Sequence, residues 1–128
     1  MNTKTINIIL WIAQVLLGAM FIMIGILKTT SPIDDLVAQG MDYGIGLTRF
    51  IGVSELLGGI GLILPSVLRI KPNLTVWAAR GIMLIMLLAV GYHLFTSDYV
   101  GSVMPLVLGL IAFFVAWGRS KKVPILPK

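Results

Sequence analysis

Four apolar runs leave this chain few ways to fold. Residues 6–28, 45–65, 74–95 and 100–118 carry few charges, and each comes close to or exceeds the ~20 residues a helix needs to cross a bilayer. Backbone polar groups in hydrocarbon must be satisfied within a helix or a closed barrel, so uninterrupted runs of this length fold as helices. The first run is longer than the apolar core of a signal peptide, about 7–15 residues. It leads into Lys28-Thr-Thr-Ser-Pro32 rather than a small-residue cleavage site, and reads as a retained helix. Pro105 falls in the first turns of the last run, where a missing N–H is best tolerated. The expectation is all-α: an integral membrane four-helix bundle forming one transmembrane domain over residues 1–128.

Composition agrees. Hydrophobic residues make up 58% of the chain and charged residues 12%, against about 25% charged in soluble domains. This excludes a soluble globular domain, a disordered chain and a nucleic-acid-binding module. The absence of cysteine removes disulfides and thiolate metal sites, and a single histidine excludes a haem held by two histidines of this chain. No metal site is expected.

The net charge of +5 reads as a topology signal. The N-terminus, the loop 65–73 and the C-terminus carry Lys4, Arg69, Lys71, Arg119, Lys121, Lys122 and Lys128 and no acid. The loops 29–44 and 96–99 carry Asp34, Asp35, Asp42 and Asp98 and no base. By the positive-inside rule both termini are expected to be cytoplasmic, in a multi-pass protein of the cell (inner) membrane. Trp11, Trp77 and Trp117 toward the inner side, with Tyr43, Phe95 and Tyr99 toward the outer, fit interfacial belts.

The first outer loop holds its own helix signal. Ser31-Pro32-Ile33-Asp34 gives a serine cap, a proline at the first position and an acid in the first turn. A short helix or lid is expected there, with Leu36, Val37 and Met41 on the membrane surface or capping the bundle. Gly40, Gly44 and Gly46 break it before the second span.

Ionisable residues inside spans are expensive, at about 2.5–3.5 kcal/mol near the midplane. Glu55 lies ten residues into the second run, roughly 15 Å deep. A carboxylate there must be paired, protonated or beside a hydrated cavity. Depth along each run gives two polar layers: an outer one of Lys28, Arg49 and His93, with Glu55 reaching up from the midplane, and an inner one of Gln14 and Arg80. Helical phase puts Gln14 and Lys28 on one face with Leu17, Phe21 and Gly25 nearby, and lines up Gly52, Glu55, Gly59 and Leu62 as a stripe. Arg49 is about 240° round the helix from Glu55, so Lys28, His93 or Arg80 on neighbouring helices are better partners for that carboxylate. Lys28, Glu55, His93, Arg49, Gln14 and Arg80 are the candidate binding residues; no catalytic residue is assigned.

Phe21-Ile-Met-Ile-Gly25-Ile-Leu-Lys28, then Arg49-Phe-Ile-Gly52-Val-Ser-Glu55-Leu-Leu-Gly58-Gly59-Ile-Gly61, and His93 at the end of the third run, form a pattern that resembles the DoxX-like family of small four-helix membrane proteins. The pattern is also similar, distantly, to that of the animal nicotinic-receptor assembly chaperone, without its long polar C-terminal tail. The resemblance implies that Lys28, Glu55 and His93 are the characteristic polar set of the bundle, and it links the family to a quinone-linked oxidase system. Any redox role would need a diffusible quinone or a partner subunit.

Three functions stand open on these residues. The first is a non-catalytic binding, scaffold or assembly-chaperone bundle with an outward-opening polar pocket for a lipid, a small hydrophobic ligand or a partner membrane protein's helix. The second is an accessory subunit of quinone-linked electron transfer. The third is a small transporter, which would need a homo-oligomer to build a pathway. An enzyme is not the expected class, and no cofactor is evident beyond a bound lipid or quinone.

Overall fold

The computed structural model describes residues 2–38 and 44–128. Gly40, Met41, Asp42 and Tyr43, which carry expectations above, lie outside the described residues. The described elements are α1 (Thr3–Thr30), a short α2 (Ile33–Ala38), α3 (Ile45–Leu68), α4 (Leu74–Phe95) and α5 (Val103–Trp117), the last continuing into a π-helical turn at Gly118–Lys122. Four of these helices are long and apolar enough to cross a membrane, counting α5 together with its π-turn. No strand forms among the described residues.

Helix ends depart from the apolar runs for local reasons. α1 starts at Thr3 because the Asn2 side chain accepts a hydrogen bond from the Thr5 backbone N–H at 2.8 Å, an N-cap that satisfies one orphan donor. Ser31 is not the cap of α2. It closes α1, its N–H bonding the Leu27 carbonyl at 3.0 Å, and Pro32 instead supplies the carbonyl that accepts from Asp35 and Leu36. α5 starts three residues later than its apolar run, because Asp98 organises the preceding turn. Its carboxylate accepts from the Gly101 N–H and its carbonyl from the Ser102 N–H.

Pro65 sits inside α3 without ending it. A proline there cannot bond the carbonyl four residues back, which is that of Gly61. The Thr75 hydroxyl of α4 takes that place, donating to Gly61 O at 3.0 Å. In a bilayer an open carbonyl would have no water to turn to, so this contact lets the helix run on to Leu68.

Consecutive long helices are neighbours: α1 packs on α3, α3 on α4, α4 on α5, and α5 closes back on α1. The core is Leu17, Phe21, Leu62, Ala79, Ile82, Met86, Leu108, Ala112, Val115 and Ala116. Large apolar residues such as Leu16, Met23, Leu57, Leu87 and Phe113 face outward, the distribution a hydrocarbon solvent requires. Both termini and the α3–α4 loop meet at one end, where the Lys128 N–H bonds the Arg69 carbonyl. This is called the terminal end below.

The α1–α3 contact is the closest. A Cβ on Gly25 would lie 2.7 Å from the Gly52 carbonyl, and one on Gly59 would lie 2.7 Å from the Gly18 carbonyl. The two glycine pairs therefore bring the backbones themselves together, as small residues do between membrane helices.

Candidate functional site

The glycine contacts set the position of the polar groups beside them. A Cβ on Gly52 would sit 2.7 Å from Lys28 Cβ, so the bare backbone lets the last turn of α1 lie against α3. From there Lys28 Nζ reaches Glu55 Oε1 at 2.6 Å. The Glu55 side chain is 2% exposed and that of Lys28 13%. A carboxylate half-way along a membrane helix is thus paired with a base from the neighbouring helix.

Beside the pair lies a cavity of about 260 Å³ between α3 and α4. Lys28, Ser54 and Glu55 give it a polar floor, and Phe50, Met86, Leu88 and Tyr92 are among its apolar walls. Of the three residues expected at one polar pocket, Lys28 and Glu55 line this cavity and His93 does not. Phe50, Leu88 and Tyr92 are 68%, 65% and 44% exposed on the lipid-facing side of the helices, so the cavity opens sideways.

Arg49 joins this end through the backbone. Its Nη1 donates to the Lys28 carbonyl at 2.9 Å, a cation on a C-terminal carbonyl of α1, where the helix dipole favours positive charge. His93 stands apart. It does not line the cavity, and its Nδ1 lies 3.1 Å from Asp98 Oδ2 in the α4–α5 turn.

At the terminal end Gln14 is fully buried, as its phase implied, and donates through Nε2 to the Leu62 carbonyl at 2.8 Å and to Ser66 Oγ at 3.2 Å. Ser66 in turn bonds Thr75 Oγ1 at 2.6 Å. Arg80 does not join this layer. It is exposed and lies over the Trp77 ring, 4.9 Å from its centroid. Arg80 is about 100° round the helix from Ala79 and about 120° from Met86, both buried, so depth alone misplaced it.

Arg119 holds the position instead and is 3% exposed. Its Nε donates to Gln14 Oε1 at 2.5 Å, and its Nη1 to Asn7 Oδ1 at 2.8 Å and to the Val123 carbonyl at 2.9 Å. A Cβ on Gly118 would strike the Leu10 side chain; its absence lets the π-helical turn press against α1 and turn Arg119 inward. The signal was present in the sequence. Leu108, Ala112, Val115 and Arg119 fall at helical spacing on one face, and the first three are core.

Comparison with curated proteins and with solved structures gives no match. Comparison with protein families gives one that covers both polar layers except Asn7 and Arg119, since the DoxX-like family matches residues 12–115. The chain therefore belongs to the DoxX-like family of multi-pass membrane proteins.

Proposed function

We propose that this protein is a non-catalytic, membrane-embedded binding bundle for a small amphiphile, whose polar head enters the α3–α4 cavity while its apolar body stays in the bilayer. The observation that carries the reading is the Lys28–Glu55 pair on the floor of an otherwise apolar, laterally opening cavity. At about 260 Å³ the space is slightly below that of pockets enclosing whole ligands, roughly 300–1,000 Å³. It suits a head group rather than an entire lipid. The Lys28 ammonium carries three donors and spends one on Glu55, leaving donors for a carbonyl, ester or hydroxyl.

A quinone presents such carbonyls, so a second reading keeps the same cavity and makes the protein an accessory of quinone-linked electron transfer. Thermal unfolding in mild detergent separates the two. A monoacylglycerol and a decyl-quinone are titrated against the wild type and against Ala89→Trp, which fills the cavity and leaves the ion pair in place. Stabilisation by the monoacylglycerol, lost in Ala89→Trp, supports the binding reading; stabilisation by the quinone alone, lost in the same variant, supports the second. Stabilisation by neither sinks both.

We also propose that the terminal end is cytoplasmic in the cell membrane, since Lys4, Arg69, Lys71, Arg119, Lys121, Lys122 and Lys128 cluster there. The chain has no cysteine, so Lys128→Cys and Asp98→Cys are clean probes. A membrane-impermeant maleimide should label only Asp98→Cys in intact cells; the reverse pattern inverts the topology.

A further inference from the structure

The terminal end holds a buried charge that forms no ion pair with any described acidic side chain. Arg119 is buried, and each of its hydrogen-bond partners is a neutral oxygen: the side-chain carbonyls of Gln14 and Asn7 and the backbone carbonyl of Val123. Its remaining nitrogen, Nη2, is buried with no hydrogen-bond partner among the described residues. The described acidic side chains are all elsewhere. Glu55 pairs with Lys28 and Asp98 with His93, while Asp34 and Asp35 lie in α2. A buried charge without a counter-ion is costly, and a guanidinium with a free N–H edge is suited to an oxyanion.

Space for such an anion adjoins it. A cavity of about 330 Å³ and a wide open groove beside it share Ser66, Arg119, Pro124 and Ile125. Lys71 lines the first, Lys4 and Arg69 line the second, and no described acid lines either. The C-terminal tail crosses between them, held where Arg69 Nε donates to the Leu126 carbonyl at 2.8 Å and the Lys128 N–H bonds the Arg69 carbonyl at 3.0 Å. Trp11 and Trp117 at this end each carry a cation over the ring, Arg119 and Lys122 respectively. Indoles and cations together mark the depth at which lipid phosphates lie.

We infer that the cavity and the groove form one site for a phosphate-bearing anion, with Arg119 as its buried cation and Lys4, Arg69 and Lys71 around its mouth. This site is separate from the α3–α4 cavity and stands whether or not that cavity binds an amphiphile. The phosphate belongs either to an anionic lipid headgroup or to a soluble phosphate ester, and titration distinguishes them.

The full chain in mild detergent is titrated calorimetrically with short-chain phosphatidylglycerol, short-chain phosphatidylcholine and glycerol 3-phosphate. Phosphatidylglycerol binding at least about tenfold tighter than phosphatidylcholine, with no heat from glycerol 3-phosphate, assigns the site to a lipid headgroup. Binding of glycerol 3-phosphate assigns it to phosphate esters in general. Arg119→Gln should weaken the bound anion about tenfold or more. Because that variant also disturbs the Gln14 network, Lys4→Gln/Lys71→Gln serves as the second test; it leaves the network intact and should weaken binding at least about fivefold. The inference is overturned if neither anion binds better than phosphatidylcholine, or if the double variant binds as the wild type does.

Discussion

Replacing Lys28 with Met removes a charge at nearly constant length and strands the Glu55 carboxylate. Glu55 is 2% exposed, ten residues into α3, and its one ionic contact among the described residues is Lys28 Nζ at 2.6 Å. Breaking a buried pair from one side costs about 3–5 kcal/mol, because the remaining charge stays desolvated. The opposite variant, Glu55→Gln, is not equivalent. Lys28 is 13% exposed on the last turn of α1, so its long stem can carry the freed ammonium toward the interface. The expected cost is accordingly smaller, about 1–2 kcal/mol. In Lys28→Met/Glu55→Gln no charge is stranded, and the double variant should be more stable than Lys28→Met alone by about 2 kcal/mol. Equilibrium unfolding in mixed micelles of dodecyl maltoside and dodecyl sulfate, followed by circular dichroism, gives the four corners of the cycle. Equal losses for the two single variants, or a double variant whose loss is their sum, would refute the pairing as the reason for Glu55's burial.

Three further outcomes follow from particular contacts. Thr75→Val keeps shape and removes the hydroxyl that serves Gly61 O and Ser66 Oγ, so it should cost about 1–3 kcal/mol in the same assay; an unchanged midpoint would mean that Pro65 needs no help from α4. Gly52→Leu drives a side chain into Lys28 and Thr29 across the tightest helix contact and should cost about 1–3 kcal/mol or more, whereas Gly91→Leu, in open space, should cost less than about 1 kcal/mol. Arg80→Gln should change stability by no more than about 0.5 kcal/mol. Were it to prove as damaging as Arg119→Gln, the assignment of the buried cation would be wrong.

Much of the bundle was legible because a bilayer admits few alternatives. The number of long helices and the buried stripe Gly52–Glu55–Gly59–Leu62 came from apolar length and a period of 3.6 alone, and that stripe lies in the interior. The Gln14–Lys28 face also followed from phase, and both side chains meet α3. What phase and depth did not carry was which helix supplies the partner. Arg80 had the right depth and the wrong angle. Arg119 had the right angle, but it followed the last apolar residue and so read as a loop charge. His93 had the right depth, but its partner Asp98 is only five residues on, a local contact that needs no reach across the bundle. The cavity between α3 and α4 depends on how those two helices meet, which no residue spacing encodes.

The account rests on the α3–α4 cavity holding an amphiphile's head over the Lys28–Glu55 pair. Native mass spectrometry of the protein released from mild detergent, wild type beside Ala89→Trp, addresses this most directly. The wild type should carry a copurified hydrophobic molecule at one copy per chain, in addition to any phosphate-bearing lipid at the terminal end, and Ala89→Trp should lose that one adduct with the same helical content. A wild type that is always bare after extraction with its lipids, or an adduct pattern that is identical in Ala89→Trp, would contradict it.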